Sequence, residues 1–249
     1  MCTLIVLHRP EHEWPVLIGA NRDEMLNRPW RAPGRHWPER PNVIAGLDEL
    51  GAGSWFGVNA EGVAAGVMNR QATLGPAPGK RSRGELVLDA LAHDHAEAAA
   101  VALSALDPDA YRAFNLVIAD CNGVYWLRHT AAPGTPVELL PLPPGLSMLT
   151  AYDVNDASSA RIRRYLPRLQ QARPPDPERG DWSDWTELLA SRESDVTGLR
   201  EGAMNVVTEF GFGTVSSQLV AIPAGRRKGA KIQFRFAAGR PDLVPFEDV

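Results

Sequence analysis

Apolar residues recur along the chain in short blocks bounded by Gly, Pro, Asn and Asp, the spacing of strands joined by turns. Leu4-Ile5-Val6-Leu7 and Val16-Leu17-Ile18 predict strands over 2–8 and 16–20, connected through Arg9 to Pro15. The second run ends in a polar cluster, Asn21-Arg22-Asp23-Glu24, which a hairpin would return beside Cys2. Residues 43–48 begin the next strand. Residues 54–59 and 63–69 predict a hairpin closed by Asn59-Ala60-Glu61-Gly62, where Asn and Gly tolerate positive φ. Residues 114–120 and 124–128 flank Asn122-Gly123, the strongest short hairpin signal in the chain. Strands are also expected over 137–142, 145–150, 214–222 and 231–236.

Helical spacing replaces alternation in three places. Residues 85–106 carry Leu86, Leu88, Leu91 and Ala98-Ala99 and stop at Asp107-Pro108, predicting one long helix. A second covers 158–172, from a Ser cap to Pro174-Pro175, and a third 182–192, after an Asp181 or Ser183 cap. Residues 27–42 are so rich in Pro that a long loop, one wall of a pocket, is expected there. Hairpins, then helices, then strands again give an α+β chain with antiparallel sheets. Residues 63–68 and 116–119 are apolar on both faces, so a sheet-on-sheet core with helices outside is expected. No linker interrupts the pattern, and one domain over residues 1–249 follows.

Composition narrows the function classes. A chain of 249 residues, 44% hydrophobic and 22% charged, is ordinary for a soluble globular protein. It can bury roughly 75% of its unfolded surface, so neither disulfides nor a metal are needed to hold it. A net charge of −4 with interleaved signs argues against a nucleic-acid partner. The one basic run, Arg226-Arg227-Lys228, sits between glycines and reads as a solvated turn. Cys2 and Cys121 form no disulfide framework and lack metal-ligand spacing. With no 18-residue apolar window and no signal pattern, a cytoplasmic protein is expected.

Cys2 is the candidate for chemistry. An initiator Met before a small residue is normally trimmed, which would give Cys2 a free α-amine. One residue would then hold a thiol, near pKa ~8.5, and an amine, near ~7.7–8.0, able to take the thiol proton directly or through water. On its own, a Cys at position two is equally a small buried hydrophobe. Other groups read more plainly. Asn59 and Gly62 are turn residues; His93 and His95 are a solvated helix face; Cys121 is structural. His8, His36 and His129 have no ligand-like partners. Trp30, Trp37 and Trp55 are either core or an aromatic pocket wall. Ser216 and Ser217 lack a paired base in the sequence.

Met1-Cys2-Thr3, Asn21-Arg22-Asp23-Glu24, Arg28-Pro29 and the stretch Gly51 to Asn59 continuing to Asn69-Arg70 together resemble the NRDE family, also called the transport and Golgi organisation protein 2 family. Ser82-Arg83-Gly84, Phe114-Asn115-Leu116 and Gly213-Thr214 before Ser216-Ser217 fit it as well. More distantly, Cys2-Thr3, Asn21 and Asp23 within Gly19 to Asp23, and the Asn59 to Gly62 turn leading to Asn69 are similar to choloylglycine hydrolases, penicillin V acylases and acid ceramidases. That resemblance implies an N-terminal-nucleophile fold, an αββα sandwich of two antiparallel sheets flanked by helices. It also implies a reaction, cleavage of non-peptide C–N amide bonds. By the same resemblance Cys2 is the nucleophile, Asp23 orients its amine and Asn69 lines an oxyanion hole. Asn21, Arg22 and Arg70 are the candidates for contact with a small-molecule substrate, with no metal and no cofactor for catalysis.

Three positions depart from the pattern. Ala20 stands where the hydrolases carry Arg, with Arg22 two positions on pointing the same way along a strand. Leu149-Thr150 is followed by Ala151, not a second oxyanion Asn, with Asn155 nearby; Val215 precedes the Ser pair where NRDE relatives carry Arg. The NRDE family is also linked to haem trafficking and lipid homeostasis, so a non-enzymatic carrier with haem or lipid as cargo is the alternative expectation.

Overall fold

The structure, a computed structural model, describes residues 2–195, 202–225 and 231–249. The basic run Arg226-Arg227-Lys228 lies outside the described residues, as does Met1. In chain order the first elements are β1 (Thr3–His8), β2 (Val16–Met25), β3 (Trp30–Gly34), β4 (Val43–Asp48), β5 (Phe56–Asn59) and β6 (Ala64–Asn69). Then come α1 (Gly84–Ala90), α2 (Ala96–Ser104), β7 (Phe114–Ala119), β8 (Val124–His129), β9 (Glu138–Pro141) and β10 (Gly145–Leu149). The last are α3 (Ala160–Gln171), α4 (Ser183–Ala190), β11 (Phe212–Ile222), β12 (Gln233–Ala237) and β13 (Glu247–Asp248). Among the described residues these make two antiparallel sheets and four α-helices, the expected α+β class. The chain packs as two compact units, one joining Met1–Arg28 to Pro144–Val249, the other Pro29–Pro143.

The second unit is a meander. Its strands pair in chain order, β3 to β9, each with its sequence neighbour. The Asn122-Gly123 hairpin forms as its residues demand, and Asp120 pins it: its Oδ1 accepts from the amides of Asn122 (2.8 Å) and Gly123 (3.1 Å). Leu86, Leu91, Ala99 and Leu103 of the helical segment pack on Val63, Leu116, Ile118 and Leu127 of the sheet. Each fully buried side chain of this kind contributes about 1.5–3 kcal/mol.

Two expectations change here. The single helix over 85–106 is broken into α1 and α2, and His93 and His95 fall in the break, not on a helix face. The freed backbone groups find side chains: Asn59 Nδ2 donates to the carbonyls of Leu91 (3.0 Å) and His93 (2.8 Å), and Asp120 Oδ2 accepts from Ala96 N (2.8 Å). With its orphan groups satisfied, the break costs little. Asn59 is thus more than a turn residue. The loop expected over 27–42 contains β3; Pro33 is tolerated because β3 is an edge strand whose register slips between Arg31 and Gly34.

In the first unit the strand order is β10-β1-β2-β11-β12-β13. Helices α3 and α4 cover one face, where Ile162, Tyr165, Leu169, Trp185 and Leu189 meet Ile5, Leu17, Met148 and Leu219. Trp185 lies so close on β2 that a Cβ at Gly19 would stand 3.0 Å from its ring, and only Gly fits without a shift. The cap of α3 is Ser159, whose Oγ accepts from Ile162 N at 3.3 Å. Strand β2 runs five residues past its expected end. Asn21, Arg22 and Asp23 are themselves strand, all three paired with β11 and Asn21 also with Thr3 of β1, and no more than 3% exposed.

Candidate functional site

Antiparallel pairing sets Thr3 opposite Asn21, and the register continued by one residue sets Cys2 opposite Arg22. On the other side of β2, Ser217 faces Asn21, Ser216 faces Arg22 and Thr214 faces Asp23. Because side chains alternate along a strand, Thr3, Asn21, Asp23, Thr214 and Ser217 share one face. Cys2, Arg22 and Ser216 belong to the other. The register shift between Thr214 and Ser216 lets both residues keep their partners on β2 despite the extra residue, Val215.

The first face is a closed polar cluster beneath the helices. Asp23 Oδ1 accepts from Thr214 Oγ1 at 2.7 Å, and its Oδ2 pairs with Arg161 Nη1 at 3.0 Å. The same Nη1 donates to Thr3 Oγ1 at 2.5 Å. Thr214 Oγ1 in turn accepts from Val206 N at 2.8 Å. The ion pair is sealed, with the Arg161 side chain 1% and the Asp23 side chain 0% exposed. Asn21 is equally committed: Nδ2 donates to the carbonyls of Leu189 and Met204, both at 2.9 Å, and Oδ1 accepts from Ser217 Oγ at 2.6 Å. Both amide hydrogens are used by the chain itself, so Asn21 has none left to donate to a substrate.

Cys2 is half-buried at the start of β1, and its Sγ contacts the backbone carbonyl of Asp23 at 3.7 Å. Burial pushes its thiol upward from the ordinary value and the Asp23 charge adds to the rise, while the chain's terminal ammonium, a backbone hydrogen bond with Asp23 and the Arg22 charge oppose it. The resting sulfur is therefore a neutral thiol that needs a base. Ser216 Oγ, fully buried across from Arg22, has no hydrogen-bond partner among the described residues.

Asn69 and Arg70 lie in the second unit. Asn69 ends β6 opposite Phe114, and Arg70 Nη1 donates to Asn115 Oδ1 at 2.7 Å, an oxygen that Trp126 Nε1 also reaches at 3.1 Å. Asn155 closes a turn: at φ 56° its Oδ1 accepts from Met148 N at 2.7 Å and its own amide donates to Met148 O at 2.9 Å. Among the described residues no group of three or more His, Cys, Asp or Glu is arranged to hold a metal, and no helix is long and apolar enough to cross a membrane.

Arg161, Thr3, Thr214 and Ser217 were not anticipated. The signal for Arg161 was present: it stands at helical spacing with Tyr165 and Leu169 and beside Ile162, a cation on the apolar stripe of its helix. Thr214 and Ser217 had no such mark, because only the register of β11 against β2 brings them to Asp23 and Asn21.

The sequence model described as Transport and Golgi organisation 2 matches residues 1–173. Among curated proteins, the Transport and Golgi organization protein 2 homolog of Bos taurus is 31% identical over 131 residues. The Transport and Golgi organization 2 homolog of Mus musculus is 28% identical over 129 residues. Each match covers 49% of this chain and 46% of the relative, so the chain spans about half the length of the curated relatives it matches. Among solved structures, an N-acylethanolamine-hydrolyzing acid amidase ortholog from Caenorhabditis elegans superposes with a TM-score of 0.56 at 15% identity, covering 88% of this chain and 92% of that one. Penicillin V acylase from Agrobacterium tumefaciens gives 0.51 at 14%, covering 95% and 83%. A variant of the conjugated bile acid hydrolase from Clostridium perfringens gives 0.53 at 13%, covering 100% and 96%. At such identities the likeness establishes the fold, that of the N-terminal-nucleophile hydrolases.

Proposed function

The chain belongs to the Transport and Golgi organisation 2 family, and from that premise we propose that it is an N-terminal-cysteine amidohydrolase acting on non-peptide C–N amide bonds. The observation that carries the reading is Cys2 at the head of β1, its Sγ 3.7 Å from the Asp23 carbonyl, beside a strand pair whose polar side chains are locked by the chain itself. A half-buried thiol at the start of a rigid strand is a nucleophile that need not be ordered at the moment of reaction.

In the proposed reaction, removal of Met1 frees the Cys2 amine. The amine takes the thiol proton, and the sulfur attacks the amide carbon to give a tetrahedral adduct. As the adduct collapses the C–N bond breaks, and the ammonium returns its proton to the departing amine. Water then adds to the thioester, releasing a carboxylic acid and restoring the thiol. The raised thiol makes the base essential, since little thiolate exists at rest. Arg22, on the same strand face as Cys2, is the cation whose charge would favour developing negative charge at the sulfur and the adduct. The Asp23 carboxylate favours the ammonium form of the amine beside it. Asn21, with its amide hydrogens already donated, is left out of substrate contact.

The test is a panel of N-acyl amides, varied in acyl and amine parts, incubated with the processed protein and with Cys2→Ala. Amine release by the first and none by the second is the expected result. Equal release by both, or none by either across the panel, removes the hydrolase reading. Saturable haem or lipid binding in the absence of any cleavage would favour the carrier instead.

A further inference from the structure

Resting on that reading of Cys2, we infer that Arg161 is the positioning residue of the nucleophile, reaching from helix α3 to the residue after Cys2 and to the carboxylate of Asp23. One nitrogen, Nη1, joins Thr3, the residue after the nucleophile, to Asp23, whose carbonyl meets Cys2 Sγ. The bridge links α3, β1 and β2 across sequence separations of 158 and 138 residues. It does so where the two side chains of the ion pair are 1% and 0% exposed. Ala20 cannot perform this task, and neither would an Arg in its place. Residue 20 alternates with Asn21 and therefore faces away from the Asp23 carboxylate. Arg161 approaches from the helix side, where both carboxylate oxygens are aimed.

Buried charges are costly and are held together only by good geometry with further hydrogen bonds. Here the additional bonds come from Thr3 and Thr214, so the cluster fixes the direction of Asp23 and the start of β1 together. The charged groups that act on the Cys2 sulfur are the chain's terminal ammonium and, on β2, Asp23 and Arg22. Arg161 acts through Asp23: it compensates the carboxylate whose charge would otherwise weigh fully on the thiol. Strand β11 adds hydroxyls at this level, from Thr214, Ser216 and Ser217, but no charge.

The experiment measures iodoacetamide alkylation of Cys2 against pH, read by intact mass, so it needs no substrate and does not depend on turnover. Arg161→Met is expected to slow alkylation at pH 7.5 by about tenfold and to move the midpoint upward, in line with the loss of an opposite charge beside Asp23. Arg161→Lys is expected to give a smaller change in the same direction, because the shorter lysine chain keeps a positive charge for Asp23 but sets its ammonium short of the point where Nη1 meets both Thr3 and Asp23. Asn at position 23 in the double variant Asp23→Asn/Arg161→Met removes the uncompensated charge, and the upward shift should vanish. A wild-type profile in Arg161→Met, or a shift that persists in the double variant, overturns the inference. If Arg161→Met does not fold, Arg161→Lys decides: a displaced profile supports the inference and a wild-type profile overturns it. Shifted profiles in a protein that cleaves no amide would remove the hydrolase reading and leave Arg161's positioning of Cys2 standing.

Discussion

The two units use their buried polar side chains for different ends. In the second, Asn59 and Asp120 bond to backbone groups and shape turns and a helix break, while the core beside them is apolar. In the first, Thr3, Asn21, Asp23, Arg161, Thr214 and Ser217 bond to one another across four elements, and Cys2 stands at the edge of that cluster. Backbone satisfaction is a requirement of any fold. A sealed ion pair is not, because removing two charges from water costs about as much as their attraction returns. The difference teaches where to look for chemistry: the backbone contacts of Asn59 and Asp120 are explained by folding alone, and the sealed ion pair of the first unit is not.

The largest effect should come from unbalancing that cluster. Asp23→Asn leaves the Arg161 guanidinium buried beside a neutral group and is expected to lower stability by about 3–5 kcal/mol in urea denaturation. The apolar double replacement, Asp23→Leu with Arg161→Met, should recover most of that loss. If the double variant is no more stable than the single, the cluster is an ordinary stabilising element and the contrast between the units fails.

A smaller loss is expected in the second unit. Asn59→Ala removes two donors to the end of α1 and the acceptor for Val63 N, which lies 2.8 Å away. The cost should be about 1–3 kcal/mol, and amide exchange should quicken around the α1–α2 break. Unchanged protection there would mean that the break is held by something other than Asn59.

The smallest effect is electrostatic. The midpoint for Cys2 alkylation should lie above the ordinary thiol range of about 8.5, since burial disfavours the thiolate. Arg22 pulls the thiol downward, so Arg22→Gln should raise the midpoint further. An unchanged midpoint would place Arg22 outside the sulfur's field and weaken its proposed part in catalysis.

Much of the fold was legible because strand and turn signals are local. Asn122-Gly123, the apolar run of β1 and the Ser159 cap of α3 all act within a few residues of where they are written, whereas α4 has Trp182 at its N-cap and lacks the side-chain cap expected from Asp181 or Ser183. The helix break was not legible, since the groups that satisfy it come from Asn59 and Asp120, more than twenty residues away in the chain. The extension of β2 through Asn21, Arg22 and Asp23 was hidden because polar residues ordinarily end a buried strand. Here partners on β11, α3, α4 and the loop after α4 satisfy Asn21 and Asp23. Cys2 and Asp23 could be named from the order of residues in the chain. Arg161 required knowing which face of its helix was buried, and Thr214 and Ser217 required a register between strands nearly two hundred residues apart.

The central claim is that Cys2, freed at its amine, becomes acylated by an amide. The most direct measurement is intact-mass analysis of the protein, acid-quenched within seconds of mixing with a cleaved or slowly cleaved N-acyl amide. The account predicts a chain lacking Met1 that gains the mass of one acyl group on Cys2, with no gain in Cys2→Ala. A chain that keeps Met1, or an adduct that forms equally in Cys2→Ala, would contradict it.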